Sequence, residues 1–499
     1  MKRRMVLARL ISLALAVAPL ANGAPASAAP PLAVPATVRV NVAGLGTSYA
    51  EIGSTGTLTA TADDGRVLYS GGSRTLTRRN VRRAEGAVVQ LPPAIDGISP
   101  EDRESRLEIL REARRVALEP AVHIVTTPFE FALLQGDPLG TAVISDTKIR
   151  PIRFVANFGY LNFNGRLFRG TLEVTTDDEG DMIVVNTVPT GDYLASVIGA
   201  EEPSTWHPEA LAAQAIAART YLVTHLRRHE HYDIEGDTRD QAYEGLGSEA
   251  DSTRRAIDRT TGLVATYRGA PIEALYSANA GGMTEDSENV FANALPYLRS
   301  VPSPGDDLAK DSGWGRTSWE WNREFTAPQL GAYLASRGLN VGIPQRVELV
   351  QVTNAGRVVK ARVIGDQGTR DIGKDASRYY FGLKSGLFTA DLVRGGGTEW
   401  VSYRDTVRLY DMDVLGADRI ATTYERTLNS DRELVGFKES GYVYRLPDRF
   451  VFNGRGFGHG VGMSQWGAQS MALRGSDYEQ ILKHYYQGIA LMNVGGPEP

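Results

Sequence analysis

Between Gly454 and Gly462 the chain reads GRGFGHGVG, five glycines in strict alternation. Glycine loses the most backbone entropy on folding and packs no side chain, so such a run needs a reason: a close backbone, a sharp bend or a ligand. Read as an extended strand, its period of two puts Arg455, Phe457, His459 and Val461 on one face and bare backbone on the other. The spacing fits neither a phosphate loop, since no Gly-Lys-Ser/Thr follows, nor a dinucleotide fingerprint between strand and helix. Immediately afterwards MSQWGAQSMALRG and SDYEQILKHYYQG read as a helix pair. Gly475 stops the first, and Ser476 with Glu479 forms a capping box for the second.

A chain of 499 residues exceeds one ordinary core, so two or three modules are expected. With 42% hydrophobic and 23% charged residues the composition is that of a globular protein, and 53 glycines with 24 prolines point to many turns and a large β component. Lys2, Arg3 and Arg4 before the apolar run Leu10 to Leu20, with small residues at Ala26 to Ala28, read as a signal peptide over 1–28 and hence export, to the periplasm or the cell exterior. No later run has the length of a membrane span. The chain has no cysteine, which excludes disulfides and thiolate chemistry. A net charge of −5 offers no general attraction to nucleic acid, and the basic clusters 77–83 and 111–115 read as solvated faces.

Strand and turn signals dominate residues 29–147, with one amphipathic helix in RESRLEILREARRVAL, and a second stretch of strands begins near 148, where Asn164 and Gly165 mark a tight hairpin turn. The segment 314–388 has its own helix and strands and reads as an inserted α/β module within a domain spanning 148–492. The fold class is therefore α+β: a β-rich core, a buried alanine-rich helix, the inserted module, and a C-terminal glycine-rich strand plus helix pair.

The buried helix lies in TGDYLASVIGAEEPSTWHPEALAAQAIAARTYLVTH, residues 190–225. Thr190 caps a short helix, the text breaks at GAEEPSTW, and Pro208 opens a long helix with apolar residues on nearly every face. Gln214 and Arg219 interrupt them, and a buried guanidinium calls for an acidic partner such as Glu201 or Glu202. His225, His229 and His231 have a spacing that metal sites use, but the arginines between them read as a solvated helix end, and neither metal nor cofactor is assigned. Ser277 and Ser464 lack the elbow spacing of a serine hydrolase. Trp466 reads as core, whereas Tyr485 and Tyr486 offer rings for packing or for stacking on sugars.

Three motifs, YLASVIGAEEPSTWHPEALAAQAIAARTY, ALYSANAGGMTEDSENVFANALPYLRSV and GHGVGMSQWGA with YEQILKHYYQG, together resemble the SpoIID/LytB family of cell-wall proteins over roughly residues 38–492. The resemblance implies a peptidoglycan lytic transglycosylase, or an amidase enhancer that binds peptidoglycan and stimulates a partner amidase without cleaving glycan. It places the catalytic residues at Glu201, the acid and base, and Arg219, which would orient the glycan or stabilise charge as the bond breaks, with Glu202 solvated or capping. Tyr297, Arg299, His459, Gln465, Tyr485 and Tyr486 become substrate-binding candidates. Three positions depart from the family: Ala212 replaces a basic residue, and Glu235 and Asp240 stand where some members carry zinc-binding cysteines.

Overall fold

The computed structural model describes residues 33–44, 49–71, 122–127, 130–135, 142–144, 151–176, 182–313 and 315–495. The expected signal peptide, both basic clusters and the amphipathic helix lie outside these residues. Two compact units emerge: a terminal unit, up to Leu275 and again from Ala468, and a central unit, Tyr276–Gly467. No helix among the described residues is long and apolar enough to cross a membrane.

In the terminal unit, β1 (Thr37–Asn41), β2 (Thr57–Ala62), β3 (Val67–Gly71), β4 (Ile152–Asn157), β5 (Thr171–Thr176), β6 (Met182–Pro189) and β7 (Ile234–Glu235) form one sheet. Its order is β7-β1-β6-β5-β4-β2-β3, so strands from both sides of position 147 share it. β1 pairs antiparallel with β6, Val38 opposite Val188. The hairpin Leu161–Phe163 and Arg166–Phe168 belongs to a second sheet and closes through Asn164 and Gly165, at φ 48° and 84°, the left-handed pair that a two-residue turn requires.

Two helices, α1 (Thr190–Glu201) and α2 (Pro208–His225), pack beside this sheet. Leu194, Ile198, Leu211, Ala215 and Leu222 join Val38, Phe154 and Val184 in one core. α2 is buried along almost its whole length, as apolar residues on nearly every face predict. Small residues let these elements meet closely: a Cβ on Gly199 would lie 1.8 Å from the Ser248 carbonyl oxygen.

Three local expectations need correction. Thr190 is the first helical residue rather than the cap, and its hydroxyl donates to the Pro35 carbonyl at 2.5 Å. α2 ends at His225, so His229 is not on the same helix. The helix α3 (Tyr478–Tyr485) has its capping box one residue later than expected, on Asp477 and Gln480. Asp477 wins because its carboxylate reaches the Gln480 N–H at 2.8 Å.

In the central unit, β8 (Glu320–Thr326), β9 (Phe388–Val393) and β10 (Arg449–Arg455) form a sheet with β10 in the middle. Phe325, Phe388, Phe450 and Phe452 from these strands fill a core with Leu330 and Leu334 of the helix Ala327–Ser336.

The glycine run is not a strand. β10 stops at Arg455, and Gly456, Gly458, Gly460 and Gly462 all take positive φ, between 73° and 105°. Alternation here supplies a left-handed residue at every second position, so the chain winds instead of extending. Backbone bonds knit this ribbon to neighbours: Phe457 N–H to Asn279 O, Gly458 N–H to Lys384 O, and Glu285 N–H to Gly460 O at 2.8 Å. Gly460 is the tightest position, since an added Cβ would sit 1.8 Å from Nη2 of buried Arg357. Gly460→Ala combines left-handed strain with displacement of that guanidinium, and is expected to lower stability by about 2–4 kcal/mol, measured by chemical denaturation.

Candidate functional site

Glu201 is placed by a helix ending. Pro203 disfavours helical geometry in the residue before it, so Glu202 leaves the helix at φ −132° and ψ 148°, and Glu201 becomes the last residue of α1. The Glu202 N–H closes the turn on the Ile198 carbonyl at 2.9 Å. Glu201 is half-buried, and its Oε1 accepts from the Ala242 N–H at 3.0 Å. Deeper on the same helix, Tyr193 donates to Gln241 Oε1 at 2.9 Å and Ser196 bonds Ser248 at 2.9 Å, which fixes α1 against the 241–248 segment.

The neighbouring carboxyl meets the opposite environment. Glu202 is 2% exposed, and neither of its carboxyl oxygens has a hydrogen-bond partner among the described residues. Burial, and then the adjacent Glu201 charge, push its pKa well above the usual carboxylate range. The sequence expectation of a solvated or purely capping Glu202 is thus half right: its N–H caps, but its side chain is buried away from solvent. Folding binds a proton here, so the group costs nothing electrostatically below the ordinary carboxylate pKa and destabilises increasingly as pH rises toward the folded-state value. Glu202→Met is expected to raise unfolding free energy near pH 7 by about 1–3 kcal/mol. The gain should shrink as pH falls toward about 4, which denaturant titrations across that range would measure.

Arg219 is completely buried within α2. Its Nη1 donates to the Thr260 hydroxyl at 3.3 Å and the Leu263 carbonyl at 3.2 Å. Thr260 itself donates to Ala256 O, which leaves its lone pair aimed at the guanidinium. These bonds supply the oxygen partners that burial of the cation demands. Gln214, the other polar residue in this helix, is fully buried with both amide atoms lacking a partner among the described residues.

Tyr485 and Tyr486 are likewise fully buried, and the Tyr486 hydroxyl donates to the Leu275 carbonyl at 2.9 Å. Neither ring shows a face to solvent, so the expected stacking surface is packed inside the protein. His225 stacks on Tyr221 with centroids 3.7 Å apart. Desolvation and then the Arg228 charge press its pKa down to about 4. It is a core histidine, not the solvated helix end expected from its arginine neighbours. Glu235 accepts from Asn41, Tyr232 and Arg239, while Asp240 accepts from Tyr221 and Arg228. With their lone pairs committed, these carboxylates do not fit the family's zinc site.

In the central unit the second and third motifs meet. Tyr276–Ser277 pairs in parallel with Met463–Ser464, and Ser464 donates to buried Asp306 at 2.6 Å while accepting the Ala280 N–H. The Ser464 hydroxyl is therefore committed to structure. Half-buried His459 accepts the Val461 N–H on Nδ1 at 3.0 Å and meets Phe291 edge-on. Desolvation, followed by the Arg378 and Arg357 charges, pushes its pKa down to about 3, so the imidazole is neutral. Gln465 and Trp466 are buried, and Tyr297 is half-buried.

Arg299 forks onto Glu288, with Nη1 at 2.9 Å from Oε1 and Nη2 bonded to Oε2, and also donates to the Leu298 carbonyl. The fork holds the Glu288 carboxyl at about 2. Sequence reasoning missed Arg357, which is 2% exposed and donates to the Ala280 carbonyl at 2.7 Å from beneath the glycine ribbon. No local signal marks it, because it lies in the inserted module far along the chain.

Residues 178–267, which contain α1 and α2, match the SpoIID family, described as stage II sporulation protein. Stage II sporulation protein D of Bacillus subtilis is 28% identical over 324 residues, 62% of this chain and 75% of that protein. An uncharacterized protein of Brachyspira hyodysenteriae is 28% identical over 315 residues, 62% of this chain and 69% of that protein. The amidase enhancer of Bacillus subtilis is 30% identical over 307 residues, 60% of this chain but only 40% of that protein. The chain carries a SpoIID family domain, and the resemblance read from its three motifs to the SpoIID/LytB proteins is borne out.

Proposed function

We propose that this is an exported cell-envelope enzyme that cleaves peptidoglycan glycan strands by lytic transglycosylation. One observation carries the reading: Glu201 ends α1 half-buried with its Oε1 held by the Ala242 N–H at 3.0 Å, so a single carboxyl is fixed in place while part of it stays open to a substrate. A positioned carboxyl within reach of the linkage is what proton transfer to and from a sugar oxygen requires.

In this mechanism the Glu201 carboxylic acid gives its proton to the glycosidic oxygen as the bond to the anomeric carbon breaks. The sugar's own 6-hydroxyl then attacks that carbon, and its proton returns to the Glu201 carboxylate. A 1,6-anhydro end forms, the acid is regenerated and no water is added. One carboxyl suffices, in contrast to the paired carboxylates of most glycoside hydrolases. Arg219 acts by positioning α2 from within the core. Tyr297 and His459 are the proposed glycan contacts, whereas Arg299 serves by holding Glu288 and the buried Gln465, Tyr485 and Tyr486 by shaping the surrounding structure.

A second reading, an enhancer of a partner amidase, has one observation in its favour. On the Asp418–Leu428 and Leu434–Arg445 hairpin, Tyr424, Leu434, Val435 and Phe437 are exposed, Phe437 by 66%. Such apolar surface marks a protein contact more often than it is left bare. Incubating the purified protein with peptidoglycan separates the two. Anhydro-sugar ends that vanish in Glu201→Gln support the enzyme; intact glycan with accelerated amidase supports the enhancer.

A further inference from the structure

The hairpin of Asp418–Leu428 and Leu434–Arg445 belongs to a three-stranded sheet with Thr398–Ser402 on the far side of Leu434–Arg445, so Asp418–Leu428 is an edge strand. An unpaired edge is a template for another strand unless proline, lysine, a bulge or a cover blunts it. This one runs for 11 residues with neither proline nor lysine. Of the three register irregularities along the hairpin, only the extra Ile420 lies on the edge strand, whereas Val435 and Ser440 are extra residues of its neighbour. Ala421 to Leu428 is therefore a regular run, and no described strand pairs with its outer side.

Alternation decides which backbone groups that side offers. The Leu446 N–H donates to the Gly397 carbonyl, and the Leu446 carbonyl accepts from the Gly396 N–H, so Gly441, Val443 and Arg445 face the opposite way, toward the edge strand. Their partners there are Thr423, Ala421 and Asp418. Thr422, Tyr424 and Arg426 accordingly direct N–H and C=O outward. Tyr424 and Arg426 stand opposite Glu439 and Phe437 on one sheet face, and Tyr424 is 57% exposed.

A second copy of the same strand fits this edge in one central register. Outward groups must meet outward groups, so an antiparallel two-fold axis has to pass through a residue. At Glu425 or Arg426 the axis would set a like charge against itself, and at Thr422 or Thr423 it would draw the Ile420 bulge into the ladder. At Tyr424 it pairs Thr422 with Arg426, Thr423 with Glu425 and Ala421 with Thr427, and brings the two Tyr424 rings together. No like charges then oppose each other. The hairpin tip carries exposed Asp431, Arg432 and Glu433, which disfavours a lipid surface as the occupant.

We propose that two copies of this chain join edge to edge through Asp418–Leu428, antiparallel about a two-fold axis at Tyr424. The dimer depends on neither reading of the function given above. One strand pair is smaller than a permanent interface, so the contact dissociates on dilution. Sedimentation velocity of the full chain over a roughly hundredfold dilution series is expected to show a reversible monomer–dimer equilibrium. Thr422→Pro removes an outward N–H but no bond of the hairpin itself, and should weaken the dimer roughly tenfold or more without changing the melting temperature. Tyr424→Glu and Tyr424→Lys each set like charges across the axis and should weaken it roughly tenfold. An equal mixture of these two variants should pair roughly threefold to tenfold more tightly than either alone, because the axis places position 424 opposite itself. A parent that stays monomeric throughout, a dimer indifferent to Thr422→Pro, or a mixture no tighter than its components overturns the inference. Binding of lipid vesicles or of an amidase by the hairpin of a monomeric parent names a different occupant and overturns it equally.

Discussion

Glu201→Gln should lower the rate of anhydro-end formation by about a thousandfold or more, while the protein melts within a degree or two of the parent. Glutamine preserves the size and the acceptor oxygen that meets the Ala242 N–H, so the helix end keeps its geometry. What is lost is the exchangeable proton. The same change one residue later is expected to behave differently: Glu202→Gln removes a buried acid that already lacks hydrogen-bond partners, and should retain cleavage. High-resolution separation of the glycan products from the two variants distinguishes them. Equal cleavage by parent and Glu201→Gln would remove the proposed chemistry altogether.

Arg219→Ala is expected to cost about 3–5 kcal/mol of unfolding free energy, the largest single stability effect foreseen. Among the described residues the arginine is the largest fully buried side chain, so truncation leaves a cavity as well as orphaned acceptors at Thr260 and Leu263. Arg219→Lys should recover part of this, since a compact ammonium keeps the charge but cannot reproduce the planar fork. Urea denaturation of the three proteins gives the comparison directly. A loss under about 1 kcal/mol for alanine would show that the buried guanidinium contributes little beyond its volume.

Some of this structure was legible because the controlling interactions are short-range. The apolar text of α2, interrupted only by Gln214 and Arg219 between Ala210 and Arg219, points to a helix buried on all sides, and the structure buries it. The Asn164 and Gly165 pair specifies its hairpin through backbone sterics alone. Glu201 was found through its motif, and its place at the helix end follows from Pro203 two residues on.

Other features misled for the same physical reason. Alternating glycine has two meanings, a bare strand face or a repeated left-handed turn, and a local pattern does not distinguish them. Here both operate in turn: Gly454 serves the first and the later four glycines the second. The capping box shifted by one residue because Ser476 and Asp477 are both good caps, and the side chain that reaches the N–H is decided by the incoming chain direction.

The sequence by itself determined the alanine-rich helix, the turn at Asn164 and Gly165, the helix end at Glu201 and the resemblance to SpoIID-family proteins. Each depends on sterics or hydrogen bonds within a few residues, or on long motifs. Only the tertiary structure decided that Glu202 is buried without partners, that Arg357 lies beneath Gly460, and that Trp321 rests on Gly454. Dehydration of a carboxyl and contact between strands distant in the chain are properties of the packed molecule, and no local stretch of residues encodes them.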